Sequence, residues 1–296
     1  MKHAIPSSWT DYELLDCGNF EKLERFGEYI LIRPEPQALW KRALTEAEWK
    51  KVSHAKFIRE QTDKFRFTDD VKGGWSKNSS MPESWNIQYR YAGLNLKLRL
   101  ALTGFGHVGI FPEQANNWNF IYDTIGSWGN HARVLNLFAY TGAASVVARS
   151  AGADVVHCDA SRPGLNWAAH NMQLNNLKDI RWVYEDAFKF VKREVKRGNK
   201  YNGIIMDPPP YGRGPEGEKW TLQEQLDELI GLNSQLLHDQ QSFFILSMYA
   251  VGLSAVVGLN IVKSHFEFDT VEYGEFLLPS QAGNDLPMGT FLRFRK

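Results

Sequence analysis

Three acidic residues follow apolar runs in the second half of this 296-residue sequence, and each could accept hydrogen bonds from a polar ligand. Asp159 ends "DVVHCD", Asp186 follows "IRWVYE" and Asp207 ends "NGIIMD". Carboxylate oxygens accept hydrogen bonds from hydroxyl and amino groups. If the apolar runs are neighbouring strands of one parallel sheet, the three acids lie at carboxyl ends and point into one crevice.

Asp207 stands directly before three prolines in "DPPPYGRG" (207–214). Proline has no N–H to donate to a sheet, so the strand must stop at Asp207 and the chain must leave as a stiff, extended loop. Tyr211 adds an aromatic side chain to that loop. The sequence therefore predicts an acid and an aromatic ring on a rigid segment at the end of a buried strand.

The turn "FAYTGAAS" (138–145) is a second candidate for ligand binding. Gly142 lets the backbone pass close to a ligand at the start of a helix. Asp159 lies about 20 residues downstream, the position and chemistry expected of an acid that binds ribose hydroxyls. The turn lacks the G-x-G-x-x-G spacing that cradles a dinucleotide pyrophosphate, which disfavours a nicotinamide cofactor.

Each of these features also has a purely structural alternative, which the residues alone leave open. Residues 140–142 could form only a tight turn. Asp159 and Asp186 could cap the helices that follow them, and the proline run could be a stiff connector. The joint pattern favours a ligand site, because all of these features fall at predicted carboxyl ends in the right order.

The elements that position these residues begin at about residue 112, where apolar runs start to alternate with helical patterns. The first helix is predicted to open at Thr141 and close near Gly152, the next to be capped by Ser161, and a later one to begin at Lys219. Such alternation implies right-handed crossovers and a parallel sheet with helices on both faces. The two extended runs of the tail should be antiparallel, since the segment joining them is too short for a crossover helix.

Residues 1–110 have short extended runs separated by turn signals and predict a β-rich region. The alternation in "NLKLRLAL" places four leucines on one face, which suits a sheet with one buried side. These leucines are Leu94, Leu96, Leu98 and Leu100. We therefore predict two domains: a smaller β-rich N-terminal domain over residues 1–110, whose role the sequence does not reveal, and an α/β domain over residues 111–296.

Composition limits the class of protein and the kinds of site. Apolar residues make up 43% and charged residues 23%, which excludes a disordered or fibrous protein. Lys plus Arg and Asp plus Glu number 34 each, so no global basic footprint marks a nucleic-acid binder, although a local basic groove is compatible with this balance. The histidines and the two cysteines, Cys17 and Cys158, show no metal-ligand spacing, so no metal is expected. With no signal peptide and no long apolar span, we expect a cytoplasmic location and no membrane partner.

The motifs together resemble a known family. The segment "VLNLFAYTGAASVVARSAGADVVHCDASRPGLNWAAHNMQLNNL", followed by "YEDAFKFV" and "GIIMDPPPYGRG", is similar to class I S-adenosylmethionine-dependent methyltransferases, and specifically to the branch containing the large-subunit ribosomal RNA methyltransferases. The resemblance covers roughly residues 105–296. It implies a Rossmann-like seven-stranded sheet, mostly parallel with an antiparallel last strand, and S-adenosylmethionine as cofactor.

The resemblance also implies roles for individual residues. Those expected at the methionine side of the cofactor are Phe138, Tyr140, Thr141 and Gly142. Asp159 would bind the ribose hydroxyls, and Asp186 would meet the adenine amine. Ala160 and Ser161 would flank the adenine ring. Gln114, in the entry segment "HVGIFPEQ", is a further cofactor candidate.

The catalytic loop implied by the resemblance consists of Asp207, Pro208, Pro209 and Tyr211. In related loops a side-chain oxygen and a loop carbonyl hold an amine or ring nitrogen, while the aromatic ring stacks on a base turned out of its helix. Pro210 separates the Pro-Pro pair from Tyr211 in this sequence. Tyr211 therefore has two alternatives, stacking on a base or packing in the interior.

The residues after the fifth predicted strand, 243–255, contain no cysteine. Family members that methylate carbon 5 of cytosine resemble one another in placing a cysteine nucleophile there. We therefore predict methyl transfer to a nitrogen or oxygen of structured RNA such as ribosomal RNA. The alternatives are a methyltransferase for a protein or small molecule, a nicotinamide-dependent oxidoreductase, and an inactive RNA-binding relative; the sequence does not indicate the target atom or the oligomeric state.

Overall fold

The computed structural model describes residues 1–7, 9–60, 73–129, 132–249 and 252–296. In this part of the chain the backbone forms two compact units. The first, which we call the large-sheet unit, consists of Met1–Ala4, Gln114–Phe276 and Gly289–Lys296. The second, which we call the N-terminal unit, consists of Ile5–Glu113 and Leu277–Met288.

The strands and helices of the described residues are numbered in chain order. The strands are β1 (Lys2–Ala4), β2 (Tyr12–Gly18), β3 (Glu21–Phe26), β4 (Tyr29–Pro34), β5 (Ala55–Arg59), β6 (Gly73–Lys77), β7 (Ser84–Tyr91), β8 (Leu94–Ala101), β9 (Arg133–Leu137), β10 (Asp154–Asp159), β11 (Ile180–Tyr184), β12 (Gly203–Met206), β13 (Tyr211–Arg213), β14 (Lys219–Thr221), β15 (Phe243–Met248), β16 (Glu272–Pro279) and β17 (Asp285–Arg295). The helices are α1 (Glu46–Val52), α2 (Ala115–Trp128), α3 (Ala143–Ser150), α4 (Arg162–Leu174), α5 (Ala187–Lys196), α6 (Leu222–Leu236) and α7 (Ala255–His265), and a short 3-10 helix covers Pro112–Gln114.

The large-sheet unit is built on one sheet with the strand order β1-β16-β17-β15-β12-β9-β10-β11. The pairs among β9, β10, β11, β12 and β15 are parallel, and β17 runs antiparallel to β15. This confirms the predicted α/β class, with a mostly parallel sheet and an antiparallel last strand. The sheet has one strand more than predicted, because β1 pairs in parallel with β16. A three-residue strand that pairs with a segment 272 residues away in register, Lys2 with Gly274, leaves no local pattern in the sequence.

The order of the parallel strands reverses between β9 and β12. From β9 the chain adds β10 and β11 on one side, and β12 then returns to the other side of β9. Ligands of open α/β sheets bind outside the carboxyl ends of the strands at such a switch point. The apolar runs that form these strands are buried on the sheet, as in Leu135, Val156, Ile204 and Phe244, and pack with buried residues of the helices, as in Phe190 and Leu229.

Of the three predicted helix starts, the one at Ser161 agrees with the structure, and the alternative in which Asp186 caps a helix also holds. Ser161 caps α4, where its side chain accepts from the Gly164 N–H over 3.1 Å, as predicted. Asp186 caps α5 in the same way. The prediction that Thr141 opens α3 is wrong by one residue: the N-cap is Gly142, whose left-handed φ of 80° ends the preceding turn before helical geometry begins.

The helix predicted to begin at Lys219 begins instead at Leu222. The three residues before it form β14, which pairs antiparallel with β13 in a two-stranded hairpin. The sequence of Lys219–Thr221 predicts a helix start because it continues without a break into the amphipathic pattern of α6. The partner strand, in the segment after the prolines, is what makes it a strand.

The N-terminal unit is β-rich, as predicted. It contains a five-stranded sheet in the order β2-β3-β4-β5-β6, a two-stranded pair β7-β8, and the helix α1. The leucines expected on one face of β8 (Leu94, Leu96, Leu98 and Leu100) are all buried, which confirms the alternating pattern. The other face of this pair is therefore its exposed side.

Candidate active site

The strand register brings the predicted site residues to one edge of the sheet. Leu137 in β9 is paired with the residue before Asp159 in β10 and with the residue before Asp207 in β12. Neighbouring strands lie about 4.8 Å apart, so Phe138, Asp159 and Asp207 stand side by side one residue further on. Asp186 follows β11, the next strand along. The sequence therefore predicted correctly that these acids share the carboxyl edge.

The turn after β9 has an unusual backbone. Phe138 and Tyr140 have φ values of 54° and 48°, and Gly142 has 80°. Such values are uncommon for residues other than glycine. A Cβ at Gly142 would lie 2.8 Å from Ala168 Cβ and 3.2 Å from His157 Cε1, so a side chain does not fit there. The turn is held close to α4 and β10 by this packing.

Asp159 is fixed by the backbone around it. Tyr140 N donates to Oδ2 and Ser161 N donates to Oδ1, each over 2.7 Å. Burial raises the pKa of this carboxyl, while the two backbone N–H groups partly oppose that shift. Ser161 is the cap of α4, so the alternative in which Asp159 caps that helix does not hold. Each carboxylate oxygen can accept a second hydrogen bond, which leaves capacity for a ligand hydroxyl.

Other predicted cofactor residues have structural roles in the described chain. Asp186 is buried, and its Oδ1 accepts from Lys189 N over 2.9 Å, so the capping alternative does hold for this residue. Thr141 is buried, and its carbonyl accepts from Asn171 Nδ2 over 2.9 Å. Ala160 is half-buried and lies between Asp159 and the capping serine. Their contacts with a cofactor stay predictions.

Asp207 lies in a partly buried position just past the end of β12. Burial raises the pKa of its carboxyl from 3.8 to about 6. Gln114 Nε2 donates to Asp207 Oδ2 over 3.2 Å. The structure thus places Gln114 against the predicted catalytic acid, and its role as a cofactor residue stays a prediction.

The proline loop is held by hydrogen bonds to its carbonyls. Trp220 Nε1 donates to Pro209 O over 2.7 Å, and Leu222 N donates to Pro210 O over 3.0 Å. These bonds tie the loop to β14 and to the start of α6. The carbonyl of Pro208 lies between Asp207 and these two anchored carbonyls in the sequence.

Tyr211 lies in β13 and is 46% exposed. This exposure excludes the alternative in which its ring packs in the interior. An exposed aromatic ring four residues after Asp207 is compatible with stacking on a base, and that role stays a prediction.

Trp220 is the residue of this site that the sequence analysis missed most clearly. It is only 2% exposed, and its ring lies 5.0 Å from the ring of Phe138 between centroids. One side chain therefore contacts both the turn after β9 and the proline loop. Its sequence neighbourhood has the composition of a helix start, and nothing local shows the contact with Phe138, 82 residues away in the numbering.

Three further polar residues near Gln114 were also missed: Asn117, Ser247 and Arg293. Asn117 lies three residues after Gln114, a spacing that puts both on one face of a helix and could have signalled the contact. Ser247 is the polar residue near the end of the otherwise apolar strand β15. Arg293 in β17 has no local signal, because it is brought here by the sheet.

Neither cysteine has the surroundings of an activated nucleophile. Cys158 is buried inside β10, and burial raises the pKa of its thiol well above the ordinary value. Cys17, in the N-terminal unit, has a thiol pKa raised to about 11 by burial. Both are therefore protonated near neutral pH. Of the segment 243–255, residues 250 and 251 lie outside the described residues.

Two kinds of feature are absent from the described residues. No group of three or more His, Cys, Asp or Glu side chains is arranged to hold a metal ion in residues 1–7, 9–60, 73–129, 132–249 and 252–296. Within these same ranges, no helix has both the length and the apolar character needed to cross a membrane.

Comparison with known proteins gives one family. The model of the S-adenosylmethionine-dependent methyltransferase family matches residues 3–236. A crystal structure of a SAM-dependent methyltransferase from Agrobacterium tumefaciens is 32% identical, with a TM-score of 0.89, and the match covers 100% of this chain and 93% of that one. A further structure, of a protein assigned as a methyltransferase and crystallised with SAH, has a TM-score of 0.70 at 18% identity and shows the shared fold. That match covers 97% of this chain and 76% of the other.

The curated relatives include ribosomal RNA enzymes. Ribosomal RNA large subunit methyltransferase K/L of Shewanella frigidimarina is 33% identical over 139 residues, which is 46% of this chain and 19% of that protein. Ribosomal RNA large subunit methyltransferase I of Tolumonas auensis is 33% identical over 119 residues, which is 39% of this chain and 29% of that protein. The matched part therefore spans less than a third of the length of either relative.

Proposed function

We propose, from the premise that this chain belongs to the S-adenosylmethionine-dependent methyltransferase family, that it transfers a methyl group to a nitrogen or oxygen of structured RNA such as ribosomal RNA. The observation that carries the proposal is the alignment of Phe138, Asp159 and Asp207 at one sheet edge, at the switch point. This arrangement places a candidate cofactor-binding acid and a candidate catalytic acid on either side of β9.

The residues at this edge fit the cofactor that the family implies. S-adenosylmethionine, when bound, supplies an electrophilic methyl group on a sulfonium. Asp159 is held by two backbone N–H groups and retains acceptor capacity for the two ribose hydroxyls. The turn through Tyr140 and Gly142 brings main-chain groups to the helix N-terminus, where they can meet the amino-acid part. On the adenine side of the cofactor, Asp186 would meet the amine, and Ala160 and Ser161 would flank the ring.

The proline loop would hold the acceptor. A nucleophilic NH2 group would donate one hydrogen bond to Asp207 and the other to the adjacent carbonyl of Pro208, whereas a hydroxyl, with a single proton, would donate to Asp207. Two acceptors on a stiff segment fix the nucleophile about 3 Å from the methyl carbon in an in-line geometry. The exposed ring of Tyr211 is available to stack on the base.

Two observations support RNA as the acceptor. The first is the naming of the curated relatives as ribosomal RNA methyltransferases. The second is the exposed face of β7-β8 in the N-terminal unit, where three cross-strand pairs each place a cationic residue opposite an amide residue. These pairs are Asn86 with Arg99, Gln88 with Lys97, and Arg90 with Asn95. None of the six is acidic, so the face suits phosphate and base-edge contacts. A ribosomal RNA substrate would also agree with the expected cytoplasmic location.

The alternatives from the sequence differ in their support. A protein or small molecule as acceptor is compatible with the neutral net charge and is distinguished by the experiment below. A nicotinamide-dependent oxidoreductase has no support from the family model or from the solved structures.

The experiment is a calorimetric titration of the purified chain with S-adenosylmethionine and, separately, with NADH, followed by an assay of labelled-methyl transfer to large-subunit ribosomal RNA. We expect the chain to bind S-adenosylmethionine but not NADH. Asp159→Ala should abolish cofactor binding, while Asp207→Ala should keep it and lose turnover. Asp154→Ala, at the exposed start of the same strand β10, is the matched control and should change neither.

Three results would contradict the proposal at different points. Full activity of Asp207→Ala would remove the catalytic role of the proline loop. Cofactor binding without methyl transfer to ribosomal RNA would favour a protein or small molecule as the acceptor. Binding of neither cofactor would favour an inactive relative.

A further inference from the structure

A chain of hydrogen bonds runs from Asp207 to Arg293 within the large-sheet unit. Gln114 Nε2 donates to Asp207 Oδ2 over 3.2 Å. Asn117 Nδ2 donates to Gln114 Oε1 over 3.0 Å. Arg293 Nη1 donates to Asn117 Oδ1 over 3.1 Å. Ser247 Oγ bridges the middle pair, accepting from Asn117 over 3.2 Å and donating to Gln114 over 3.3 Å.

The direction of this chain is set by the guanidinium of Arg293, which can donate hydrogen bonds but cannot accept them. Asn117 must therefore turn its oxygen to Arg293 and its NH2 group to Gln114. Gln114 must in turn present its oxygen to Asn117, which leaves its NH2 group for Asp207. Ser247 runs in the same direction. The two possible orientations of a side-chain amide usually cannot be told apart by shape. Here the donor of Arg293 determines the orientation of both amides, Asn117 and Gln114.

Arg293 is itself held in place. Glu272 accepts from its Nε over 2.9 Å and pairs with its Nη2 over 2.8 Å. Nη1 also donates to the carbonyl of Asn116 over 3.0 Å, and the guanidinium lies 4.8 Å from the ring centroid of Phe120. Lys2 of β1 forms a second ion pair with Glu272. The arginine side chain is 11% exposed, so these contacts keep its donor on Asn117.

We propose that Arg293, acting through Asn117 and Gln114, is a positioning residue that fixes which oxygen of Asp207 faces the methyl acceptor. Gln114 holds Oδ2, and Oδ1 is presented to the acceptor. The proposal rests on the proposed function for the identity of that acceptor, although the hydrogen-bond chain itself does not.

The proposal follows from what in-line transfer needs. The terminal torsion of an Asp side chain is broad, so a carboxylate on a rigid backbone can still rotate. A donor on one oxygen restricts that rotation and keeps the other oxygen in the near-attack geometry. A reversed Gln114 would point its carbonyl oxygen at Asp207, and two acceptors would then repel one another. The arginine prevents that reversal from outside the site.

Variants of Gln114 and Arg293 test this proposal. Gln114→Glu keeps the shape and removes the donor; Gln235→Glu, on the exposed side of α6, is the control for the added charge. Arg293→Met removes the donor that sets the direction of the hydrogen bonds. Arg293→Lys also removes the planar guanidinium but keeps a charged N–H donor. We expect Gln114→Glu and Arg293→Met to lower kcat about tenfold or more with little change in acceptor KM. Arg293→Lys should restore part of that loss.

A second readout reports Asp207 without any methyl transfer. The carboxyl carbon of Asp207 is titrated by NMR in protein labelled with ¹³C-aspartate, with the signal identified by its loss in Asp207→Asn. Among the described residues, the neutral side chain of Gln114 is the group that hydrogen-bonds to this carboxyl. Burial alone raises the pKa of Asp207 to about 6. Gln114→Glu replaces a donor by a like charge and should raise the midpoint by about one pH unit. Gln235→Glu should leave it unchanged.

The two readouts separate the two proposals. A shifted midpoint in Gln114→Glu, with wild-type protein that transfers no methyl group to RNA, supports the hydrogen-bond chain and overturns the proposed function. An active wild type whose Gln114→Glu variant keeps both kcat and the midpoint overturns the positioning proposal. If Arg293→Met does not fold, the Gln114→Glu result decides alone.

Discussion

Asp207 combines two properties that oppose each other. Its carboxyl lies in a partly buried position that disfavours the charged form, and the proposed reaction uses that charged form to hold the acceptor. A carboxyl whose pKa is higher in the folded chain than in the unfolded chain binds more protons when folded, between the two pKa values. The free energy of unfolding therefore falls as pH rises from about 3.8 through about 6, and the destabilisation is complete above that range.

We predict that Asp207→Asn raises the free energy of unfolding at pH 7.5 by up to about 3 kcal/mol, because the amide removes the charge that burial disfavours. The effect should vanish below about pH 3, where the wild-type carboxyl is largely protonated in both states. Urea unfolding at the two pH values measures it, with Asp154→Asn as the exposed control. A stabilisation of the same size at both pH values would show that ionisation is not its cause.

The hairpin β13-β14 (Tyr211–Arg213 and Lys219–Thr221) joins the two loops of the candidate site. Its Trp220 donates to the carbonyl of Pro209 and packs against Phe138. The proline loop is therefore stiff for two reasons: the rings limit its backbone, and the hairpin anchors its carbonyls. Small errors in the position of a reacting group reduce rates strongly, so this anchor matters to turnover.

We predict that Trp220→Phe lowers kcat about fivefold to tenfold, the rate equivalent of one lost hydrogen bond of roughly 1 to 1.4 kcal/mol, and leaves the Kd for S-adenosylmethionine unchanged. The phenyl ring keeps the contact with Phe138 but cannot donate to Pro209. Trp220→Ala removes both interactions and should weaken cofactor binding as well. Steady-state kinetics and calorimetry measure the two quantities. Equal effects of the two variants on cofactor binding would show that the contact of Trp220 with Phe138 does not contribute to cofactor binding.

Most of the large-sheet unit could be predicted from sequence because its signals are local. The strand and helix order, the cap at Ser161 and the placement of Asp159 and Asp207 at strand ends all depend on residues close in sequence. Two exceptions depend on distant partners: β1 pairs with β16, and Trp220 packs against Phe138. A third exception, β14, pairs with the nearby β13, but its residues run directly into the pattern of α6. The chain of hydrogen bonds from Asp207 to Arg293 joins four elements, and no single stretch of sequence encodes it.

At the scale of the whole molecule, the two units are expected to divide the work. The large-sheet unit carries the candidate cofactor and catalytic residues. The N-terminal unit carries the exposed face of β7-β8, on which Arg90, Lys97 and Arg99 alternate with amides. Lysine and arginine side chains that bind phosphate give an affinity that depends on salt concentration. Binding of RNA and binding of cofactor should therefore respond to different substitutions.

We predict that the double variant Arg90→Glu and Lys97→Glu weakens binding to large-subunit ribosomal RNA without changing the Kd for S-adenosylmethionine. The slope of log K against log salt concentration should fall in magnitude by about 0.7 to 0.9 for each phosphate that the variant no longer neutralises. Filter binding at several salt concentrations measures it. Lys51→Glu, an exposed charge reversal on α1 of the same unit, is the control. An unchanged slope in the double variant would exclude this face from RNA binding.

The position of β17 has a consequence for the growing chain on the ribosome. β17 is translated after all the other described strands, yet it lies inside the large sheet, between β16 and β15. The sheet cannot be completed until Asp285–Arg295 has been translated and has left the exit tunnel. Arg293 arrives with this strand, so under our proposal Asp207 is held in its working orientation only after almost the entire described chain has been made. A nascent chain that stops short of β17 can hold a nearly complete set of site residues and still have no means of orienting the acid.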